Sequence, residues 1–138
     1  VQTCALPIFD WILCARAELS LSTQRFAEAL ALAGEVRAAG HPLSQGIAER
    51  IRGRALSRLD PADRAAVDAS MEESVETLAK GNLRVEIART RLAWAFLCRE
   101  RGEGARAQAL YDAAASELGA FGCGYALDEA ARRWSRGP

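Results

Sequence analysis

Apolar residues recur along this chain at the three- to four-residue spacing of amphipathic helices, and Gly, Pro and Asp interrupt them at short intervals. We expect Ser44, Asp60 and Asn82 to cap the third, fourth and fifth of these helices, with Pro61 in the first turn of the fourth. The chain is therefore predicted to be all-α. The predicted helices are Phe9–Leu21, Gln24–Ala39, Ser44–Leu59, Asp60 to about Lys80, Leu83–Arg101, Ala105–Leu118 and Tyr125 to about Ser135.

Small residues recur at matching positions of these helices. Such positions are typical of sites where the backbones of two helices cross and a large side chain would not fit. The second pair departs from the pattern, because Met71, Ser74 and Leu78 match only if they are shifted by about two residues. The predicted packing positions are Ala17, Gly53 and Ala95 in the first helix of each pair, and Ala29, Ala65, Ala107, Tyr111 and Ala114 in the second.

The clearest copy of this pattern, Thr90 to Leu118, resembles a tetratricopeptide-type repeat, with Gly102 at its turn. From Phe9 to Trp134 the chain is similar to the divergent repeat region that ends large bacterial signal-transduction ATPases. These include the maltose-operon activator type and nucleotide cyclases with an attached ATPase module. The stretches that carry this likeness are Arg52–Leu56, Ile87–Ala93 and Gly104–Ala107.

The resemblance implies a right-handed α-solenoid of about three helix pairs with a C-terminal capping helix. It also implies a protein–protein interaction or effector-sensing role within a larger bacterial regulatory protein. The expected partner is a protein, a peptide or the upstream domains of the same chain. A structural spacer or scaffold is the alternative, and we do not expect an enzyme, because the family's catalytic motifs do not occur here.

Charge and composition exclude some classes of binding partner. The 18 basic and 18 acidic residues cancel, which argues against nucleic acid and against an RNA-binding array of pentatricopeptide-like pairs. No apolar run approaches the roughly 18 residues of a membrane span. The four Cys have neither metal-ligand nor redox spacing, so we expect a reduced, cytoplasmic protein without a metal or cofactor.

The first eight residues have a separate origin in our interpretation. Val1–Ile8 is the in-frame translation of the adapter sequence GTTCAGACGTGTGCTCTTCCGATCT, and the T left over fits the Phe codon that follows. We therefore expect residues 1–8 to be a non-structural artefact. Residues 9–138 are then one repeat domain, the C-terminal fragment of a larger protein.

Few residues offer chemistry. His41, the single His, lies between Gly and Pro and is expected in a solvated loop rather than in a catalytic pair. The Gly-rich stretch 119–124 follows a helix and lacks the Lys of a phosphate loop, so we interpret it as a helix connection.

Two sets of residues are candidates for binding a partner. The third helix is basic, with Arg54 and Arg58 among its cations, and the fourth is acidic. These faces either form mutual ion pairs or line a charged groove for a peptide. Trp94, beside Arg91, is either a core residue of the fifth helix or an exposed anchor for a partner.

The two ends of the chain differ. The first helix is apolar nearly all round, so Trp11 and Leu13 cannot both face the second helix, and one of them must be exposed. The last helix is expected to turn Tyr125 and Trp134 inward and a charged face outward, as a terminal cap does. Self-association is therefore expected at the first helix.

Overall fold

The computed structural model describes residues 7–39 and 41–137, and within these ranges every regular secondary-structure element is an α-helix. The all-α class predicted from the sequence is confirmed. The helices are α1 Pro7–Ser22, α2 Phe26–Ala39, α3 Pro42–Leu59, α4 Arg64–Lys80, α5 Arg84–Glu100, α6 Gly104–Ala120 and α7 Gly124–Ser135.

Contacts divide the chain into two compact units, Val1–Asn82 and Leu83–Pro138. In the first unit α1 packs on both α2 and α3, α2 packs on α3, and α3 packs on α4. In the second unit α5 packs on α6, and α6 packs on α7. Within each unit, consecutive helices are therefore packed on each other, as in helical hairpins.

Proline sets the start of α3 and shifts the start of α4. Pro42 occupies the first turn of α3, where its missing N–H is not needed, and His41 takes the cap position. Ser44 is therefore two residues inside the helix, and its expected capping role is wrong. Asp60 ends α3 because the residue before a proline avoids the helical conformation. Asp63 caps α4 instead, its Oδ1 accepting a 3.0 Å bond from the N–H of Ala66.

Two other helix starts depend on left-handed residues. Asn82, with φ of 54°, turns the chain before α5, and Leu83 takes the cap position expected for Asn82. Gln24, with φ of 61°, lies in the turn before α2 rather than in the helix. Asn tolerates this conformation because its short polar side chain bonds locally.

The helix α1 begins inside the segment that we assigned to adapter sequence. Pro7 and Ile8 belong to its first turn, so the helix begins two residues before the start at Phe9 that the sequence predicts. Residues 1–6 lie outside the described part of the chain. The adapter origin of the segment stays a prediction.

The core of the first unit is built from small and branched residues of α1, α2 and α3. Ala17, Ala29 and Gly53 are buried, as their packing roles require. Ala65 is exposed, and the packing role predicted for it is wrong. Because α4 begins only at Arg64, Ala65 lies in an outward-facing first turn, and Val67 is the first residue of α4 that is buried.

In the second unit the predicted small residues Ala95, Ala107 and Ala114 are buried. Ala114 packs with Ala88 and Leu118 in a cluster between α5 and α6. Large side chains at these positions would separate the two helices, since there is no room around a buried Ala for further carbons.

The terminal helix α7 meets α6 through one narrow face. Ala130 is buried, and Trp134 is half-buried with its ring stacked on Tyr111 at 4.3 Å between centroids. The charged residues expected on the outer face are exposed. Tyr125 is 79% exposed, so its predicted inward orientation is wrong, and the half-buried Leu127 packs against the α5–α6 cluster in its place.

Candidate functional site

The surface of α1 carries a row of exposed apolar side chains. Ile8, Trp11, Ile12, Ala15 and Leu19 are all exposed, Trp11 to 62%. Their spacing of three and four residues places them on one face of the helix. We call these five residues the α1 stripe. Scattered apolar residues are normal on a protein surface, but a contiguous row of large ones marks a site of interaction.

The opposite face of α1 fixes the helix in place. Leu13, Ala17 and Leu21 are buried in the core that α1 shares with α2 and α3. Leu13 is only 5% exposed, so Trp11 is the residue of the pair that faces outward. The α1 stripe is therefore held on a packed helix, and a partner would meet a surface that is already formed.

Polar contacts on the α3 side add to this anchoring. The hydroxyl of Ser44 lies 3.3 Å from Asp10 Oδ2 and 2.9 Å from the carbonyl of His41, so its single proton is donated to one or the other. Arg54 Nη1 donates to Glu18 Oε2 over 2.9 Å. Asp10 and Ser44 are buried, whereas the ion pair of Arg54 and Glu18 is half-exposed and therefore screened by water.

A cysteine lies beneath the stripe but offers no reactivity. Burial raises the pKa of the Cys14 thiol to about 11, with the negative charges of Asp10 and Glu18 adding to the rise and Arg50 opposing it. The thiol therefore stays protonated at neutral pH, and only the thiolate is a nucleophile or metal ligand. Its Sγ lies 3.7 Å from the carbonyl of Ser44, a weak hydrogen bond of a packed thiol.

The two edges of the stripe differ in character. Phe9 and Arg16 are exposed along one edge, two helical turns apart. Glu18 lies on the other edge, two helical turns from Trp11, and Arg54 holds its carboxylate. An apolar strip with a cation on one side and an anion on the other has the pattern of a helix–helix interface.

The binding residues proposed from the sequence fall in different units, and most are engaged within the protein. Arg54 is paired with Glu18 of α1, which is not the partner on α4 expected for the charged helices. Arg58 is exposed in the last turn of α3, and Arg91 is half-buried on α5.

Trp94 does not provide the exposed anchor that one interpretation of the sequence allowed. It is only 8% exposed, and the guanidinium of Arg106 lies 4.8 Å from its ring centroid. The alternative interpretation as a core residue of α5 agrees with this burial. Of the three Trp residues, Trp11 is the exposed one. Sequence analysis did not name it as a binding residue and expected only that either Trp11 or Leu13 would be exposed.

An aromatic cluster at α7 was missed by sequence analysis. The ring of Trp134 stacks on Tyr111 and meets Phe96 edge-on at 5.3 Å. Arg99 lies over the Trp134 ring at 4.3 Å and donates from Nη1 to the Trp134 carbonyl over 2.6 Å. A second donor of Arg99, Nη2, reaches the Gly137 carbonyl at 3.2 Å, so this side chain closes the end of α7.

The described residues contain no group of three metal-ligating side chains. His41 is exposed, and its contribution to α3 comes from backbone groups rather than from its ring. The connection around Gly122 is a turn between α6 and α7, as the sequence indicated. Across residues 7–39 and 41–137, none of the helices has the length and apolar character needed to cross a membrane.

Comparison with known proteins returns no match: no family model matches the chain, and neither does a curated protein or a solved structure.

Proposed function

We propose that this chain is a helical repeat module of a cytoplasmic bacterial regulatory protein and that the α1 stripe is its binding surface. The observation that carries the proposal is the exposure of the stripe on a helix whose opposite face is packed. Its occupant would be a protein or peptide partner, or another segment of the regulatory protein itself. A structural spacer without a binding role is the alternative.

The chemistry of the stripe favours a helical partner. Residues at i, i+3, i+4 and i+7 on one helix complement the matching face of another helix or the floor of an apolar groove. Trp11 supplies the large exposed ring that interfaces use as an energetic anchor. Because α1 is fixed by Leu13 and Ala17, binding would cost little ordering of the backbone.

The repeat architecture belongs to the same proposal. Buried Ala17 and Gly53 occupy matching positions of α1 and α3, and these two helices contact each other as the first helices of consecutive pairs do in a solenoid. The second unit repeats the hairpin with buried Ala95 and Ala107. These observations support a tetratricopeptide-like right-handed solenoid of the kind that the resemblance to signal-transduction ATPases implies.

Selection of helical peptides tests the binding role. A displayed library of helical peptides is selected on the immobilised protein at a surface density low enough to keep the copies apart. We expect binders with apolar residues at i, i+3, i+4 and i+7. Their affinity should fall at least tenfold on Trp11→Glu, because the substitution replaces the largest exposed ring of the stripe with a charge.

The matched control is Tyr125→Glu, which introduces the same charge at an exposed aromatic residue on another helix. It should leave peptide affinity unchanged, and circular dichroism should show that both variants keep their helices. If no helical binder emerges, or if binders tolerate Trp11→Glu, the α1 stripe is not a binding surface and the spacer alternative takes its place.

A further inference from the structure

We propose that α7 is a lid on the α5–α6 hairpin that opens and closes as one unit in the native protein, with Arg99 as its latch. The inference goes beyond the binding role of α1, because it concerns the second unit alone. It is carried by the thin packing of α7, by the position of its strongest contacts and by an unsatisfied hydrogen-bond donor in the latch itself.

The packing of α7 against its unit is thin. Ala130 is the one buried residue of α7, whereas α5 buries six. Leu127 and Trp134 pack against the α5–α6 hairpin, but both side chains are only half-buried. Elements with few buried apolar contacts open at a lower free energy than the rest of a domain. We therefore expect α7 to open while α5 and α6 stay paired.

The strongest contacts of α7 lie at the end that is far from its connection to α6. The helix starts directly after the turn at Gly122, whereas Arg99 meets its last turn. The Arg99 guanidinium donates to the carbonyls of Trp134 at 2.6 Å and of Gly137 at 3.2 Å. Its Cζ also lies 4.3 Å from the centroid of the Trp134 ring. A helix that is fastened at both ends does not fray inward from one of them, so loss of the latch releases α7 as a whole.

The closed latch carries two electrostatic costs. The Nε atom of Arg99 is buried, and it has no hydrogen-bond acceptor in the described part of the chain. A buried donor without an acceptor loses the hydrogen bonds that it makes in water. Arg133 of α7 shares the Phe96 ring with Arg99, their Cζ atoms lying 4.6 and 5.0 Å from its centroid, so two like charges are held near each other. Opening relieves both costs and brings the open and closed states closer in free energy.

Opening would change the surface of the second unit. The ring of Trp134 lies on Tyr111 of α6 and against Phe96 of α5, and Leu127 packs against the buried cluster that contains Leu118. When α7 is released, these side chains of α5 and α6 become an apolar face that the closed form does not offer. The lid therefore controls access to this face.

Native-state hydrogen exchange of the 138-residue chain in low concentrations of urea tests the lid. We expect the amides of residues 128–134 to share one protection factor, about tenfold or more below that of the buried part of α5. The dependence of this protection on urea should be weak, because opening of a single helix exposes little surface.

Arg99→Ala tests the latch, and Arg89→Ala is its matched control. Arg89 is an exposed arginine of the same helix, and its ion pair with Glu86 lies within α5. Arg99→Ala should lower the protection of α7 by about tenfold or more and leave that of residues 88–95 within about twofold. Arg89→Ala should leave the protection of α7 unchanged, and circular dichroism should show that both variants keep their helices.

The exchange data of the unsubstituted chain can overturn the lid without any variant. Equal protection and equal urea dependence for α7 and α5 would show that the second unit opens only as a whole. A gradient of protection that falls steadily toward Ser135 would show ordinary fraying of a helix end instead of a lid. If Arg99→Ala leaves α7 as it was, or if Arg89→Ala lowers its protection equally, Arg99 is not the latch.

Discussion

The substitution Gly46→Ala should lower the free energy of unfolding by about 1–3 kcal/mol, the usual cost of forcing an extra carbon into a filled core. A Cβ at this position would lie 2.4 Å from Cγ and 2.6 Å from Cδ2 of Leu78, which is fully buried on α4. The backbones approach closely here, as the 2.7 Å bond from Ser74 Oγ to the Gly46 carbonyl shows. Urea denaturation followed by circular dichroism measures the loss.

Gly53→Ala is the matched control, since it lies two helical turns further along the same face of α3. Its new Cβ would meet the flexible end of Met71, with Cε at 3.1 Å, and Ser70 Cβ at 3.3 Å. The helix gains about 1 kcal/mol from replacing Gly, so the net change should stay within about 1 kcal/mol of zero. Equal losses for the two variants, or a neutral Gly46→Ala, would contradict the observed spacing of α3 and α4.

Trp134→Ala should release α7 while α5 and α6 stay folded. The ring is in contact with Tyr111, Phe96 and Arg99, and α7 has few other contacts with its unit. Trp→Ala in a core costs roughly 3–5 kcal/mol, and for this half-buried ring we expect about 2–4 kcal/mol of local stability.

Native-state hydrogen exchange locates this effect. Amides of Gly124–Ser135 should lose most of their protection in Trp134→Ala, while those of α5 keep theirs. Tyr125→Ala, on the same helix but 79% exposed, should change stability by less than about 0.5 kcal/mol. If α5 and α6 lose protection together with α7, the aromatic cluster supports the whole second unit rather than one helix.

The helices were predictable because their apolar rows and their Gly and Pro interruptions are local signals. Helix starts were less predictable where two signals compete within a few residues. Ser44 and Asp60 are good caps in isolation, but Pro42 and Pro61 nearby decided which residue caps each helix. The packing role predicted for Ala65 was wrong for a related reason. Because α4 starts later than predicted, Ala65 lies in the exposed first turn, and Val67 is the first buried residue of the helix.

The candidate site was predictable in part. A helix that is apolar nearly all round must expose part of its apolar surface. The sequence could not decide whether Trp11 or Leu13 is the exposed residue. That choice depends on the angle at which α1 meets α2 and α3. Trp94 and Trp134 could not be placed from the sequence for the same reason. Trp94 is covered by Arg106, and Trp134 stacks on Tyr111, and both contacts come from another helix.

The indole N–H signals of the three Trp residues give the most direct test of the binding role of α1. Nitrogen-15-labelled protein is titrated with a helical peptide obtained by selection, at a concentration where the chain is monomeric. The account predicts that the Trp11 indole signal shifts progressively and saturates, because its exposed ring belongs to the stripe. The Trp94 and Trp134 signals should stay in place. Saturating shifts of either of those two signals, with Trp11 unmoved, would contradict the assignment of the α1 stripe as the binding surface.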